Sequence, residues 1–272
     1  LTGGGFNSYG NFGGGVYVAS ADILGDSKAE IITGAGEGGG PHVKAFDMNG
    51  NLLVEFFAFN SNFTGGVRVA ARNILGDSKA EIIVGAGPSA GSVNEKSRVK
   101  FYSIVNNLPE IESNFLAYGD FNGGIYVAAA NVDNDAQSEI ITGAGEGGGP
   151  HVKAFKFFGE IPVRSFFAYN SAFTGGVRVA AGDVNGDGAD EIIVGAGPGN
   201  ANTGTGQLNA ECCASTECWD GSSCIPNQRN QPLAEPLNGF RCIDGNWEGA
   251  NKKLTMDDSV SGYCPKISQC LV

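Results

Sequence analysis

Oxygen-bearing side chains recur at alternate positions in residues 183–191: Asp183, Asn185 and Asp187, followed by Glu191. Alternate residues of a curled loop turn inward together, and a hard cation such as calcium takes about six to eight oxygen ligands. Gly186 and Gly188 allow the backbone angles that such a curl needs. The carbonyl of Ala189 adds another oxygen. An EF-hand loop begins in the same way but closes on an acidic residue at its twelfth position, between two helices. Here that position is Val194, inside an apolar, β-branched run that reads as a strand. The expectation is therefore a calcium loop between two strands, with a solvated acidic turn as the plainer alternative.

Three further stretches depart from this pattern by degrees. Asn131, Asp133, Asp135 and Glu139 keep three carboxylates and an amide, with the Gln137 carbonyl as an added oxygen. This loop is a second calcium candidate. The other two are poorer. Asp22, Asp26 and Glu30 have Leu24 where an oxygen is wanted, and Asn73, Asp77 and Glu81 have Leu75. Lys28 and Lys79 also bring positive charge close, so these two loops read as turns that close without an ion.

No other grouping suggests reaction chemistry. The two histidines, His42 and His151, fall in equivalent Gly-Gly-Gly-Pro-His turns with no cysteine near either, which makes them weak zinc ligands and unlikely partners for a nucleophile. The triple glycines precede no helix, so they are not a phosphate loop. A non-enzymatic protein is expected.

The elements that position these loops come in repeats. Gly-Gly pairs open units at Gly14, Gly65, Gly123 and Gly175, and residues 30–46 return unchanged as residues 139–155. Residues 81–88 return as 191–198. The units therefore alternate in type, as a duplicated pair would. Each reads as four short strands. The first begins at residue 16, 67, 125 or 177 and the second at 30, 81, 139 or 191. The third covers 43–46, 99–102 or 152–155, and the last 52–59, 111–118 or 163–169. Continuous apolar runs in the second strands suit sheets buried on both faces. The fourth unit has no clear third or last strand, so an unfinished sheet edge is expected there. One position in the first strands alternates as Tyr17, Arg68, Tyr126 and Arg178. Either these side chains stack as ring and guanidinium in turn, or they fill gaps between sheets.

Phe173-Thr174-Gly175-Gly176 before the acidic loop and Gly195-Ala196-Gly197-Pro198 after it resemble the FG-GAP repeat. The resemblance covers roughly residues 6–200. It implies an all-β, integrin-α-like (VCBS-type) β-propeller over residues 1–205, with repeats at about 9–59, 60–118, 119–169 and an incomplete 170–205. It also implies a calcium loop joining the first two strands of each four-stranded blade.

Residues 206–272 differ in kind. All seven cysteines lie there: Cys212, Cys213, Cys218, Cys224, Cys242, Cys264 and Cys270. Such a cluster predicts a small disulfide-bonded domain in an oxidising, extracellular setting. The odd number leaves one thiol free or paired with another chain. Asn62-Phe63-Thr64 fits the N-glycosylation pattern. The formal net charge of −12, with no basic patch, disfavours nucleic acid and anionic lipid. No apolar run is long enough for a membrane span, and no secretory leader is visible, as in a mature or partial form. The expected roles are adhesion at the cell surface, a filament or layer built from copies of the chain through the unfinished edge, or lectin-like glycan binding. The expected partners are a protein or glycan ligand, or further copies of the chain in a polymer.

Overall fold

The structure is a computed structural model that describes residues 5–89, 93–133, 135, 137–157, 159 and 161–199, together with the backbone of five short strands nearer the C-terminus. The described chain is all-β, built of antiparallel sheets. Two compact units divide it, Leu1–Ala201 and Asn202–Val272.

The first unit repeats one plan. Strands β1 (Val16–Ala21), β2 (Glu30–Ala35), β3 (His42–Phe46) and β4 (Leu52–Phe57) form a meander in that order. The plan returns as β5 (Val67–Arg72), β6 (Glu81–Ala86), β7 (Arg98–Val105) and β8 (Leu108–Leu116). It returns again as β9 (Ile125–Ala130), β10 (Glu139–Ala144), β11 (His151–Phe155) and β12 (Pro162–Phe167). The fourth sheet has β13 (Val177–Gly182) and β14 (Glu191–Ala196). In each four-stranded sheet the register slips at the same point, between Ala45 and Phe46, Phe101 and Tyr102, or Ala154 and Phe155.

The meander explains the sequence patterns. In the two middle sheets the second strand has a neighbour on each side and a sheet against each face, so β6 and β10 are buried along their whole length. That burial is why the Glu-Ile-Ile runs do not alternate with polar residues. The core lies between successive sheets. Ile32, Val43 and Val54 of the first meet Val67, Val69, Ile82 and Tyr102 of the second. Ile83, Val99 and Phe101 continue to Ile125, Val127 and Ile140, and Ile141, Val152 and Ala154 to Val177. First strands pack against first strands, β1 on β5, β5 on β9 and β9 on β13. The glycine pairs permit the close approach at these joints: a β-carbon at Gly66 would lie 2.5 Å from the carbonyl oxygen of Gly36 in the preceding sheet.

The second sheet differs from the others at one hairpin. Its last two strands run to the two-residue turn Asn106-Asn107, both residues with positive φ, as a tight type I′ connection requires. The last strand of this sheet consequently starts at Leu108 instead of residue 111.

In the second unit, β15 (Cys218–Trp219) pairs with β16 (Cys224–Ile225). Strands β17 (Phe240–Ile243), β18 (Asn246–Gly249) and β19 (Lys252–Lys253) form a second small sheet. Cys212, Cys213, Cys264 and Cys270 lie outside the described residues, and Cys218, Cys224 and Cys242 are described only as strand backbone. No helix among the described residues is long and apolar enough to cross a membrane.

Candidate metal centre

The four acidic loops all connect first to second strand, at one end of each sheet. The Gly-Gly-Gly-Pro-His turns connect second to third strand, at the other end. Each acidic loop is closed from below by the glutamate that opens the second strand. One carboxylate oxygen of Glu30, Glu81, Glu139 and Glu191 accepts the backbone N–H of Ile23, Ile74, Val132 and Val184, at 3.0, 2.7, 2.9 and 3.0 Å. The residue at the loop's first position then folds the chain over. Asp183 accepts N–H groups from Gly186 and Gly188 at 2.6 and 3.0 Å. Those bonds hold its carboxyl below the usual aspartate range. Asp22 does the same with Gly25, Asp26 and Ser27. Asn73 likewise accepts the Gly76 N–H at 2.7 Å, and Asn73 and Asn131 also donate side-chain N–H to the carbonyls of Asp77 and Asp135.

The other residues of each loop separate the four. In the third, carboxylate oxygens of Asp133, Asp135 and Glu139 converge within 4.8 Å of one another. The Lys156 ammonium stands among them, 2.8, 2.7 and 2.5 Å from the three. Partial burial alone would lower the pKa of Lys156, but the hydrogen bonds to the three acids more than reverse this and raise it. Its hydrogen bond, with that from the Gln137 N–H, in turn lowers the pKa of Asp135. The Asn131 side-chain oxygen is buried with no donor among the described residues. An orphaned oxygen beside a converged set of carboxylates suits a hard cation.

The fourth loop has no lysine in this place among the described residues. Asn185 donates to Glu191 at 2.6 Å and accepts the Asp187 N–H at 2.8 Å, while Asp187 accepts the Ala189 N–H at 2.9 Å. Its ligand candidates lie in one exposed curl, with the carboxylates turned onto the loop's own backbone.

In the two poorer loops the acids meet lysines and backbone N–H groups. Asp26 pairs with Lys28 at 3.4 Å, and Asp77 accepts the Lys79 N–H at 2.7 Å. Burial raises the pKa of Glu30 and of Glu81, with the N–H bonds of Ile23, and of Ile74 and Leu75, opposing it. Leu24 and Leu75 pack against the core clusters.

At the opposite end, the two histidines pack among aromatic rings. His42 lies between the rings of Tyr9 and Phe57, at 5.6 and 4.8 Å, and His151 between those of Tyr118 and Phe167, at 5.4 and 4.7 Å. Burial lowers both pKa values, so both rings are neutral at pH 7. His42 contacts Glu55 at 3.2 Å and His151 contacts Ser165 at 2.9 Å. Asn62 is exposed in the turn between β4 and β5.

The alternating first-strand position forms a ladder. The Arg68 guanidinium stacks on Tyr17 at 5.3 Å and on Tyr126 at 4.9 Å, and Arg178 stacks on Tyr126 at 5.3 Å.

Sequence reasoning did not find Lys156. The identical 17-residue segments end at Phe46 and Phe155, and the next residue is Asp47 in one and Lys156 in the other. That difference was the available signal.

Residues 175–208 match the FG-GAP repeat family model, a repeat typical of integrin-like extracellular proteins. No curated protein matches the chain. Among solved structures, the rhamnogalacturonan lyase YesW aligns at 18% identity and a TM-score of 0.45, covering 66% of this chain and 39% of that one. A rhamnogalacturonan lyase of Bacillus licheniformis aligns at 17% and 0.46, covering 65% and 39%. The chain thus spans about two fifths of the length of these two enzymes.

Proposed function

We propose that the chain is an extracellular, calcium-stabilised module of β-propeller type that works by binding and by building surface structure, not by catalysis. The observation that carries this reading is the cation position of the third loop, where Asp133, Asp135 and Glu139 converge on a single positive charge. The fourth loop has the same order of oxygens with no lysine among the described residues. Asp183, Asn185, Asp187 and Glu191, with the Ala189 carbonyl, would hold calcium there. In the third loop, Asn131, Asp133, Asp135 and Glu139, with the Gln137 carbonyl, would hold it only where calcium displaces Lys156. Calcium would supply charge that ties the loop to the ends of β13 and β14. The propeller reading is supported by the packing of each first strand on the first strand of the next sheet.

The ligand-binding face on this reading is the end opposite the calcium loops, where Phe57 and Phe167 are exposed beside the stacked histidines. Exposed rings of this kind suit a sugar or a partner's loop. A second reading, a subunit of a filament or layer, is favoured by the outer edge of β14, which has no partner strand among the described residues.

A thermal melt tests the metal. Calcium should raise the melting temperature relative to EDTA, because it binds only the folded form. Asp183→Ala combined with Asp135→Ala should remove the difference. A melt insensitive to EDTA would count against calcium.

A further inference from the structure

The two ends of the four-sheet arc carry the two halves of one joint. At the three joints within the chain, a glycine on the second strand receives the first strand of the next sheet. A β-carbon at Gly34, Gly85 or Gly143 would lie 2.5, 2.9 or 2.4 Å from the carbonyl oxygen of Val67, Ile125 or Val177. The equivalent glycine of the fourth sheet, Gly195, meets nothing within 4 Å. Its neighbour Ile193 is 43% exposed, whereas Ile32, Ile83 and Ile141 at the same position are 0% exposed.

The other half is on the first sheet. Val18 is 63% exposed, although its counterparts Val69 and Val127 are buried in the joints. Gly15 meets nothing within 4 Å, while a β-carbon at Gly66, Gly124 or Gly176 would press on the backbone of the preceding sheet. The connecting hydrogen bonds agree. Gly38, Ser89 and Gly147 donate to Thr64, Asn122 and Thr174 across the three joints, at 2.8, 2.8 and 2.7 Å. The matching donor, Gly199 N–H, and the matching acceptor, the Gly13 carbonyl, have no partner among the described residues. The aromatic ladder ends in phase as well. It starts with a tyrosine and stops at the exposed Arg178, so a second Tyr17 would be the next ring in the alternation.

We infer that the first-sheet face of one copy of this chain docks on the fourth-sheet face of another, head to tail, repeating the joint used three times inside the chain. The contact is heterologous, so it closes into a ring or continues as a filament. Two copies bring eight sheets together, within the range of about four to eight blades in known propellers. The inference rests on the propeller reading above but not on calcium. It also differs from strand addition at the edge of β14, because here sheets meet face to face.

Sedimentation velocity on the full chain, in calcium and in EDTA, tests it. The wild type should associate with rising concentration. Val18→Arg spoils only the first-sheet face and Gly195→Leu only the fourth-sheet face, at two open positions, so each variant should melt as the dilute, monomeric wild type does but sediment as a monomer at every concentration. An equimolar mixture of the two should regain a one-to-one complex, since each supplies the face the other lacks. A monomeric wild type, variants that still associate, or a mixture that stays monomeric would each overturn the proposal. Association that persists in EDTA while the melt is insensitive to calcium would sink the metal reading and leave the joint standing.

Discussion

The third and fourth acidic loops have nearly the same residues in the same order, yet they are neutralised differently. In the third, Lys156 reaches in from just beyond β11 and sets its ammonium among Asp133, Asp135 and Glu139. In the fourth, no third strand lies beside β14 among the described residues. Asp183 and Asp187 there turn to their own backbone N–H groups. The lesson is that the loop motif specifies oxygens, while the cation that balances them depends on a neighbouring strand. The third loop has a tethered ammonium among its carboxylates, and the fourth has none among the described residues.

The largest effect should come from separating the third loop from its lysine. Lys156→Ala in EDTA leaves the fully buried Glu139 carboxylate without its counter-charge. The expected loss is about 3 kcal/mol, at the low end for orphaning one partner of a buried pair, since Lys156 and Asp135 are partly exposed. Urea denaturation would measure it, and calcium should restore much of the loss in this variant. A variant as stable as the wild type in EDTA would show that the ion pairs contribute nothing.

The same two sheets can be compared at their glycines. Gly143→Ala puts a methyl group 2.4 Å from the Val177 carbonyl oxygen, while Gly195→Ala puts one in open space. The first should cost about 1–3 kcal/mol by overpacking, and the second should stay within about 0.5 kcal/mol of the wild type in monomer stability. Equal effects would break the contrast between a filled joint and an open one.

The smallest effect belongs to the first and second loops. Burial raises the Glu81 pKa above the ordinary 4.5, and the N–H bonds of Ile74 and Leu75 oppose this without cancelling it. The folded state therefore holds that proton more tightly than the unfolded chain, and stability falls as pH rises from 4.5 through the raised value. Glu81→Gln should flatten this part of the stability–pH profile, with little change in melting temperature at acid pH. A steeper slope in the variant would contradict the assignment.

Much of this was legible in the sequence. Exact repetition located the strands, because each unit must form the same supersecondary structure to stack on the next. Continuous Ile-Ile runs marked strands buried on both faces, whereas the Tyr-Arg alternation left stacking and gap filling both open until the stacking distances chose the ladder. What escaped depends on contacts between distant residues or on local turn chemistry. Arg72 pairs with Asp190 at 2.6 Å across 118 residues, and Lys156 lies outside the loop it neutralises. The extended β7–β8 hairpin was present as Asn106-Asn107, whose fitness for positive φ went unused.

Calcium stoichiometry tests the central contrast most directly. Equilibrium dialysis of the wild type should give one ion per chain, lost in Asp183→Ala, and Lys156→Ala should gain a second. A wild type that binds no calcium, or a Lys156→Ala protein whose stoichiometry equals that of the wild type, would contradict the account.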